Sequence, residues 1–221
     1  MSTKADIQGF DISTRSAAVI GCGGLDTNVA VHLAGAGIGK LLLWDFDEVE
    51  VRNLNRQFMY TAEDEGKAKS LVLKNRIKAY APECEVESVC VKITAFSQLF
   101  SAADFDIVIL AVDNVECRKI VSDFCEKNGI AYVNGSVQGF FGTAYLSLPG
   151  KTATLEQAGG LETASGAPLS PSTTVGIIGA LEAKLAINYF LNKTDSFGTL
   201  YCYDGETIEA LKIRGDANDK L

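Results

Sequence analysis

Ala17-Ala18-Val19-Ile20-Gly21-Cys22-Gly23-Gly24-Leu25 is the stretch on which the fold turns. The run Ala17–Ile20 is short and apolar, and predicts a buried strand. The glycines predict a tight turn. From Leu25 to Ala36, apolar Val29, Leu33 and Ala36 recur at helical spacing, and Gly37 and Gly39 end the helix. A strand that runs through a glycine turn into a helix offers a phosphate free N–H groups and the positive end of a helix dipole. The same glycines also suit a tight connection with no ligand. A dinucleotide-binding fingerprint asks for Gly at position 26, where this chain has Asp26; that sets a carboxyl near any bound pyrophosphate.

Outward from this turn, strand and helix patterns alternate. Lys40–Trp44 predicts a second buried strand, closed by Asp45, Asp47 and Glu48. Lys67 to Ala81 predicts a helix with Leu71, Ile77 and Tyr80 inward, stopped by Pro82. Val86–Ile93 alternates like a strand, and Phe105–Val112 is a continuous apolar one. A helix over Val115–Asn128 ends at Gly129, and Ile130–Asn134 and Thr143–Leu148 read as further strands. Pro149 to Pro171 is a Gly/Ala/Ser/Thr/Pro-rich loop of the length that is usually functional or disordered. Val175–Leu191 is a strongly apolar last helix. Thr199–Tyr203 and Thr207–Ile213, split by Asp204-Gly205, predict an antiparallel hairpin, and a polar tail follows from Arg214. The expectation is an α/β fold: a Rossmann-like, doubly wound, mostly parallel sheet with a C-terminal antiparallel hairpin extension, in one domain over residues 1–221.

Composition narrows the function. With 47% hydrophobic and 22% charged residues the chain matches a globular domain and not a disordered one. The net charge of −8 argues against general nucleic-acid binding. No apolar run is long enough to span a membrane, and Lys4, Asp6 and Asp11 break any signal peptide. A cytoplasmic protein with reduced thiols is expected. The six cysteines form no Cys-x-x-Cys pair and His32 is the single histidine, so no zinc site is expected. Cys22, at a helix N-terminus, is the one cysteine placed for reactivity, although a small residue filling the turn explains it as well. Cys90, Cys117 and Cys202 read as small core residues, and His32 as a surface or boundary residue.

Four sets of residues carry chemistry. The first is Gly21, Gly23 and Gly24. The second is Asp45, about twenty residues on, where a carboxylate can accept hydrogen bonds from ribose hydroxyls or simply be solvated beside Asp47 and Glu48. These two sets leave NAD and ATP open. The third, Asn53-Leu54-Asn55-Arg56-Gln57 with Gly66-Lys67-Ala68-Lys69, separates them. Hydride transfer needs no cations just after the second strand, whereas stabilising a triphosphate does. Alternatives are an exposed Lys69 at a helix start and an ion pair of Arg56 with Glu63 or Asp64. The fourth is Asp113-Asn114, past a buried strand, where Asp113 can hold Mg²⁺ and either Asp113 or Asn114 can cap the next helix.

Together these motifs, with Gly176-Ile-Ile-Gly179-Ala-Leu-Glu182-Ala and Tyr201-Cys-Tyr-Asp-Gly205, resemble the ubiquitin-activating-enzyme-like adenylyltransferases, the ThiF, MoeB and HesA type, and by length the short ThiF-like proteins. The likeness covers about residues 16 to 213. It implies that ATP is bound by Gly21, Gly23, Gly24, Asp45, Asp47, Asn53, Arg56, Gln57, Lys69, Asp113 and Asn114. Arg56, Lys69 and Asp113 would be catalytic, with Asp113 holding Mg²⁺. It further implies that the C-terminal carboxylate of a small ubiquitin-like sulfur-carrier protein attacks the α-phosphorus. An acyl-adenylate and pyrophosphate result, as in thiamin or molybdopterin biosynthesis. A homodimer is implied too, and the apolar Val175–Leu191 helix is expected to leave surface for it to cover.

Three departures from the family pattern stand out: Asp26, the missing Cys-x-x-Cys zinc pairs, and the absence of any cysteine between Gly159 and Pro171. Ser165, Ser170 and Ser172 in and beside that stretch have no histidine to activate them. Sulfur transfer is therefore expected from a separate sulfurtransferase. Arg15 lies too near the first strand to match an arginine that family members donate across the dimer. Competing readings are adenylation of another peptide or small carboxylic acid, a non-catalytic scaffold, and a nicotinamide dehydrogenase. The last leaves Arg56, Lys69 and Asp113 without a role.

Overall fold

Apolar residues that alternate sides of a strand bury both faces of a sheet only when layers cover it above and below. In a computed structural model describing residues 10–161 and 170–213, that is the arrangement. The strands are β1 (Ser16–Ile20), β2 (Lys40–Trp44), β3 (Glu85–Val89), β4 (Ile107–Leu110), β5 (Ala131–Gln138), β6 (Phe141–Ser147), β7 (Thr199–Tyr203) and β8 (Ile208–Lys212). They form one 8-stranded sheet in the order β3-β2-β1-β4-β5-β6-β7-β8. β3, β2, β1, β4 and β5 are parallel, and β6, β7 and β8 are antiparallel. The predicted doubly wound sheet with an antiparallel C-terminal extension is therefore the fold.

Ala17, Val19, Leu41, Leu43, Ile107 and Ile109 point into one core. Three helices close it: α1 (Gly24–Gly35), α2 (Lys69–Tyr80) and α4 (Ser172–Phe190). Ala18, Ile20, Leu42, Trp44, Val108 and Leu110 point into the other, under α3 (Val115–Asn128) and the 3₁₀ stretch Phe96–Asp104. Removing one fully buried side chain, as in Leu33→Ala, would cost about 2–5 kcal/mol.

Several boundaries and faces differ from the sequence expectation. On α2 the buried residues are Lys69, Ser70, Val72, Leu73 and Ile77, while Leu71 and Tyr80 are about half exposed. The first turn is pinned inward, because the Lys69 N–H donates to Asp47 O at 2.9 Å and Ser70 Oγ to Asp45 O at 3.2 Å. That rotates the apolar stripe away from Leu71. β5 runs on to Gln138 because Gly139-Phe140 turns it directly into β6. β3 stops at Val89, so Cys90 is exposed; Cys117 and Cys202 are half-buried, and among the three cysteines assigned to the core none is buried. α4 spends its apolar surface internally, on α1 and the sheet, and none of its large apolar side chains is exposed.

In the expected long loop, Ala153 and Leu155 are buried and tied to the sheet: the Leu155 N–H donates to Tyr132 Oη and Tyr145 Oη donates to Ala153 O, both at 2.9 Å. Residues 162–169, with Ser165, and the tail from Arg214 lie outside the described residues. Among the described residues no helix is long and apolar enough to cross a membrane.

Candidate functional site

The register decides what meets at the sheet's C-terminal edge. Ile20 pairs with Trp44 on one side and with Leu110 on the other. The exits of β2, β1 and β4 are therefore neighbours, and they lead into Asp45, the Gly21–Gly24 turn and Asp113. β1 is where the winding of the sheet reverses, and open α/β sheets bind ligands at that crevice.

The turn is built tightly. Gly21 has φ +112°, which a side chain resists, and a Cβ there would lie 2.6 Å from Asp26 Oδ2. The Gly21 N–H donates to Trp44 O at 2.7 Å. Cys22 is fixed at both ends of its peptide: its N–H donates to Asp45 Oδ2 at 2.6 Å, and its C=O accepts from Tyr60 Oη at 2.8 Å. Burial, and then the Asp45 charge, push the Cys22 thiol well up, so it is a protonated filler and not a nucleophile. The Gly23 N–H donates to Asp26 Oδ2 at 3.0 Å. Two of the turn's donors are thus taken by the protein's own carboxyls.

Asp45 is buried and accepts two backbone N–H bonds, from Cys22 to Oδ2 and from Asp47 to Oδ1 at 2.7 Å. Burial pushes its pKa up, while these bonds and Lys69 oppose that. A carboxylate has about four lone-pair sites, so capacity remains for hydroxyl donors.

The cationic residues gather beside the turn. Lys69 is 6% exposed, not an exposed lysine, and its Nζ lies 3.2 Å from Asp47 Oδ2. Arg56 packs on the turn: a Cβ at Gly24 would come within 3.3 Å of its Cγ. The Arg56 guanidinium reaches the side-chain oxygens of Asn53 and Asn55, each at 3.2 Å, and no carboxylate among the described residues. Asp64 instead holds Lys67 and Arg76, at 3.1 and 2.8 Å. Asn53 also donates to Glu50 at 3.0 Å. Gln57 is buried beside Gly23, and its Oε1 has no partner among the described residues.

Asp113 and Asn114 separate cleanly. Asn114 Oδ1 accepts the Cys117 N–H at 2.9 Å and caps α3. Asp113 is exposed and makes no hydrogen bond or ion pair with another described residue.

Sequence reasoning missed the brace formed by Tyr60 and gave Asp26 no structural role. It also missed two buried charged residues, Arg118 and Glu182. Arg118 Nε donates to Val112 O at 2.6 Å and its Nη1 to Gly160 O at 3.3 Å, tying the exit of β4 to the turn around Gly160. Glu182 is fully buried on α4, and neither of its carboxyl oxygens has a partner among the described residues. No spacing signal marks these contacts, which join residues distant in the chain.

The sequence model of the ThiF family matches residues 8–220. A sulfur carrier protein adenylyltransferase of Thermus thermophilus is 38% identical over 127 residues, 58% of this chain and 47% of the relative. The sulfur carrier protein ThiS adenylyltransferase of Escherichia coli is 33% identical over 131 residues, 59% of this chain and 52% of the relative. The adenylyltransferase and sulfurtransferase MOCS3 of Dictyostelium discoideum is 32% identical over 218 residues, 93% and 51% of the two chains. The chain thus spans about half the length of the curated relatives it matches. Among solved structures, E. coli MccB with ATP superposes with a TM-score of 0.83 at 23% identity, covering 94% of this chain and 67% of that one. At that identity the likeness concerns the fold.

Proposed function

Because the chain belongs to the ThiF family, we propose that it is an adenylyltransferase, which uses ATP to activate the C-terminal carboxylate of a small ubiquitin-like sulfur-carrier protein. The observation that carries this reading is the pair of cations at the glycine turn, Arg56 packed on Gly24 and Lys69 buried at the start of α2. Hydride transfer on a nicotinamide cofactor requires no such pair of cations, whereas expelling pyrophosphate from ATP does.

ATP fits the residues present. The N–H groups at the start of α1 that remain free would hold the phosphates, and Asp45 keeps lone pairs that would serve the ribose. Asn53, Arg56, Gln57 and Lys69 would line the phosphate side. Lys69 leaves Asp47 for the triphosphate, and Arg56 is already free of carboxylates among the described residues. Asp113, unpartnered among the described residues at the exit of β4, and next to the capping Asn114, suits a Mg²⁺ ion. No group of three or more candidate ligands gathers among the described residues, so phosphate oxygens and water would complete its shell. The ion would neutralise phosphate charge.

Catalysis by these residues is positioning and charge stabilisation. The carrier carboxylate attacks the α-phosphorus, the bond to the β-phosphate oxygen breaks, and pyrophosphate leaves with the charge that Arg56 and Lys69 stabilise. We assign the whole chain to one domain, working as a homodimer in the cytoplasm, where its six free thiols stay reduced. Sulfur transfer is left to a separate sulfurtransferase. The test is ATP–pyrophosphate exchange with a carrier protein ending in Gly-Gly. Exchange that depends on the carrier supports the reading, and ATP binding without exchange for any such carrier ends it.

A further inference from the structure

Asp26 stands where a glycine would complete the phosphate-binding fingerprint, and the structure gives it a defined place. It is 2% exposed on the first turn of α1, beneath the glycine turn. Oδ2 accepts the Gly23 N–H at 3.0 Å and fills the space that a side chain at Gly21 would need. Oδ1 is buried with no partner among the described residues. Among the described residues no cation is dedicated to this carboxyl: Lys69 lies on Asp47, and Arg118 is spent on the carbonyls of Val112 and Gly160.

We propose that Asp26 is a positioning residue that links nucleotide affinity to its own protonation: neutral, it braces the glycine turn, and ionised, it sets a negative charge directly beneath the phosphates. This rests on the adenylation reading and deepens it, by adding a proton to the binding equilibrium of that same site.

Every neighbouring charge bears on that proton. Burial is the main cause that lifts the Asp26 pKa to about 7; the Gly23 N–H lowers it, Asp45 at the end of β2 raises it, and the residue's own N–H and Lys69 on α2 lower it. Glu182 on α4 is pushed well up, by burial first and by Asp26 second, so it adds little charge at neutral pH. Arg118 on α3 feels Asp26 across the core but is itself held below its usual range by burial. The thiols of Cys22 and Cys117 and the Tyr60 hydroxyl also couple to Asp26, and all three are raised by burial and stay neutral. A polyphosphate adds further negative charge above the turn, which favours neutral Asp26 in the complex. If only that form binds, apparent affinity scales with its population and falls about tenfold between pH 6 and pH 8.

The experiment is calorimetric titration of ATP with Mg²⁺ at pH 6, 7 and 8, on the wild type and Asp26→Asn. The amide oxygen of Asn accepts the same Gly23 N–H but cannot ionise. Titration of the γ-phosphate is common to both proteins and cancels in the comparison. The proposal expects the wild-type affinity to fall about tenfold more than that of the variant across this range. Equal slopes overturn it and leave the adenylation reading intact. Absence of binding by the wild type at every pH overturns both. Should Asp26→Asn not fold, the wild type alone decides: at pH 8, binding measured in two buffers of different ionisation enthalpy must show uptake of about one proton per nucleotide. No uptake, or release, overturns the proposal.

Discussion

The Lys69 ammonium lies 3.2 Å from the Asp47 carboxylate and bridges the start of α2 to the acidic run that follows β2. Lys69 is buried and Asp47 is exposed, and under the proposed function a triphosphate would draw Lys69 away from Asp47. Asp47 is open to water, and a polyphosphate offers Lys69 more negative charge than one carboxylate does. Lys69→Ala should therefore lower pyrophosphate exchange about 10²–10³-fold, while Asp47→Asn should change it less than about tenfold, the reach of 1.4 kcal/mol. A loss of activity in Asp47→Asn as deep as in Lys69→Ala would show that Asp47 touches the substrate.

The sequence leaves the cap of α3 open between Asp113 and Asn114, and the structure gives it to Asn114. Asn114→Ala removes the α3 cap and should cost about 0.5–2 kcal/mol in urea unfolding. Asp113→Asn touches no hydrogen bond among the described residues, so its stability should stay within about 0.5 kcal/mol while exchange falls about 10²–10³-fold. Near-normal exchange in Asp113→Asn would sink its assignment to Mg²⁺.

Tyr60 braces the turn through one hydroxyl, which donates to Cys22 O at 2.8 Å in a buried setting. Tyr60→Phe leaves that carbonyl unsatisfied and should cost about 1–3 kcal/mol. A loosened turn also binds phosphate less well, so KM for ATP should rise more than kcat falls. Unchanged KM in a destabilised variant would make Tyr60 a purely structural brace.

Stability should carry the signature of Asp26 even without nucleotide. Its pKa rises from an ordinary 3.8 to about 7 on folding, chiefly through burial. The folded state then holds a proton that the unfolded chain gives up, so stability must fall as pH rises from about 4 to about 7 and level off above. Between pH 5 and pH 8 the loss amounts to about 2–3 kcal/mol for this group. Urea titrations at both pH values should show a smaller difference in Asp26→Asn. An identical difference in the two proteins would mean that Asp26 is already ionised near its ordinary pKa.

Much of the fold was legible because its signals are local. The apolar runs at Ala17–Ile20 and Lys40–Trp44, the helix over Val115–Asn128 with Gly129 at its end, and the hairpin at Asp204-Gly205 are statements about neighbours in the chain. The face of α2 was misjudged because its first turn is aimed by Asp45 and Asp47, residues of another element. The 3₁₀ stretch Phe96–Asp104 has an amphipathic pattern, yet the sequence reading gave it no element.

The sequence by itself determined the parallel doubly wound class, the antiparallel end and the residue types that a nucleotide site needs, since all of these follow from hydrophobic period, glycine placement and charge along the chain. Only the tertiary structure decided what each polar side chain does. It committed Asn114 to a cap and left Asp113 without a partner among the described residues; it buried Lys69 and kept Arg56 off the described carboxylates; and it turned Asp26 under the glycine turn, within electrostatic reach of a buried Glu182. The physical reason is that burial and partner geometry set the energy of a polar group, and both arise from strand register and helix packing between residues far apart in sequence.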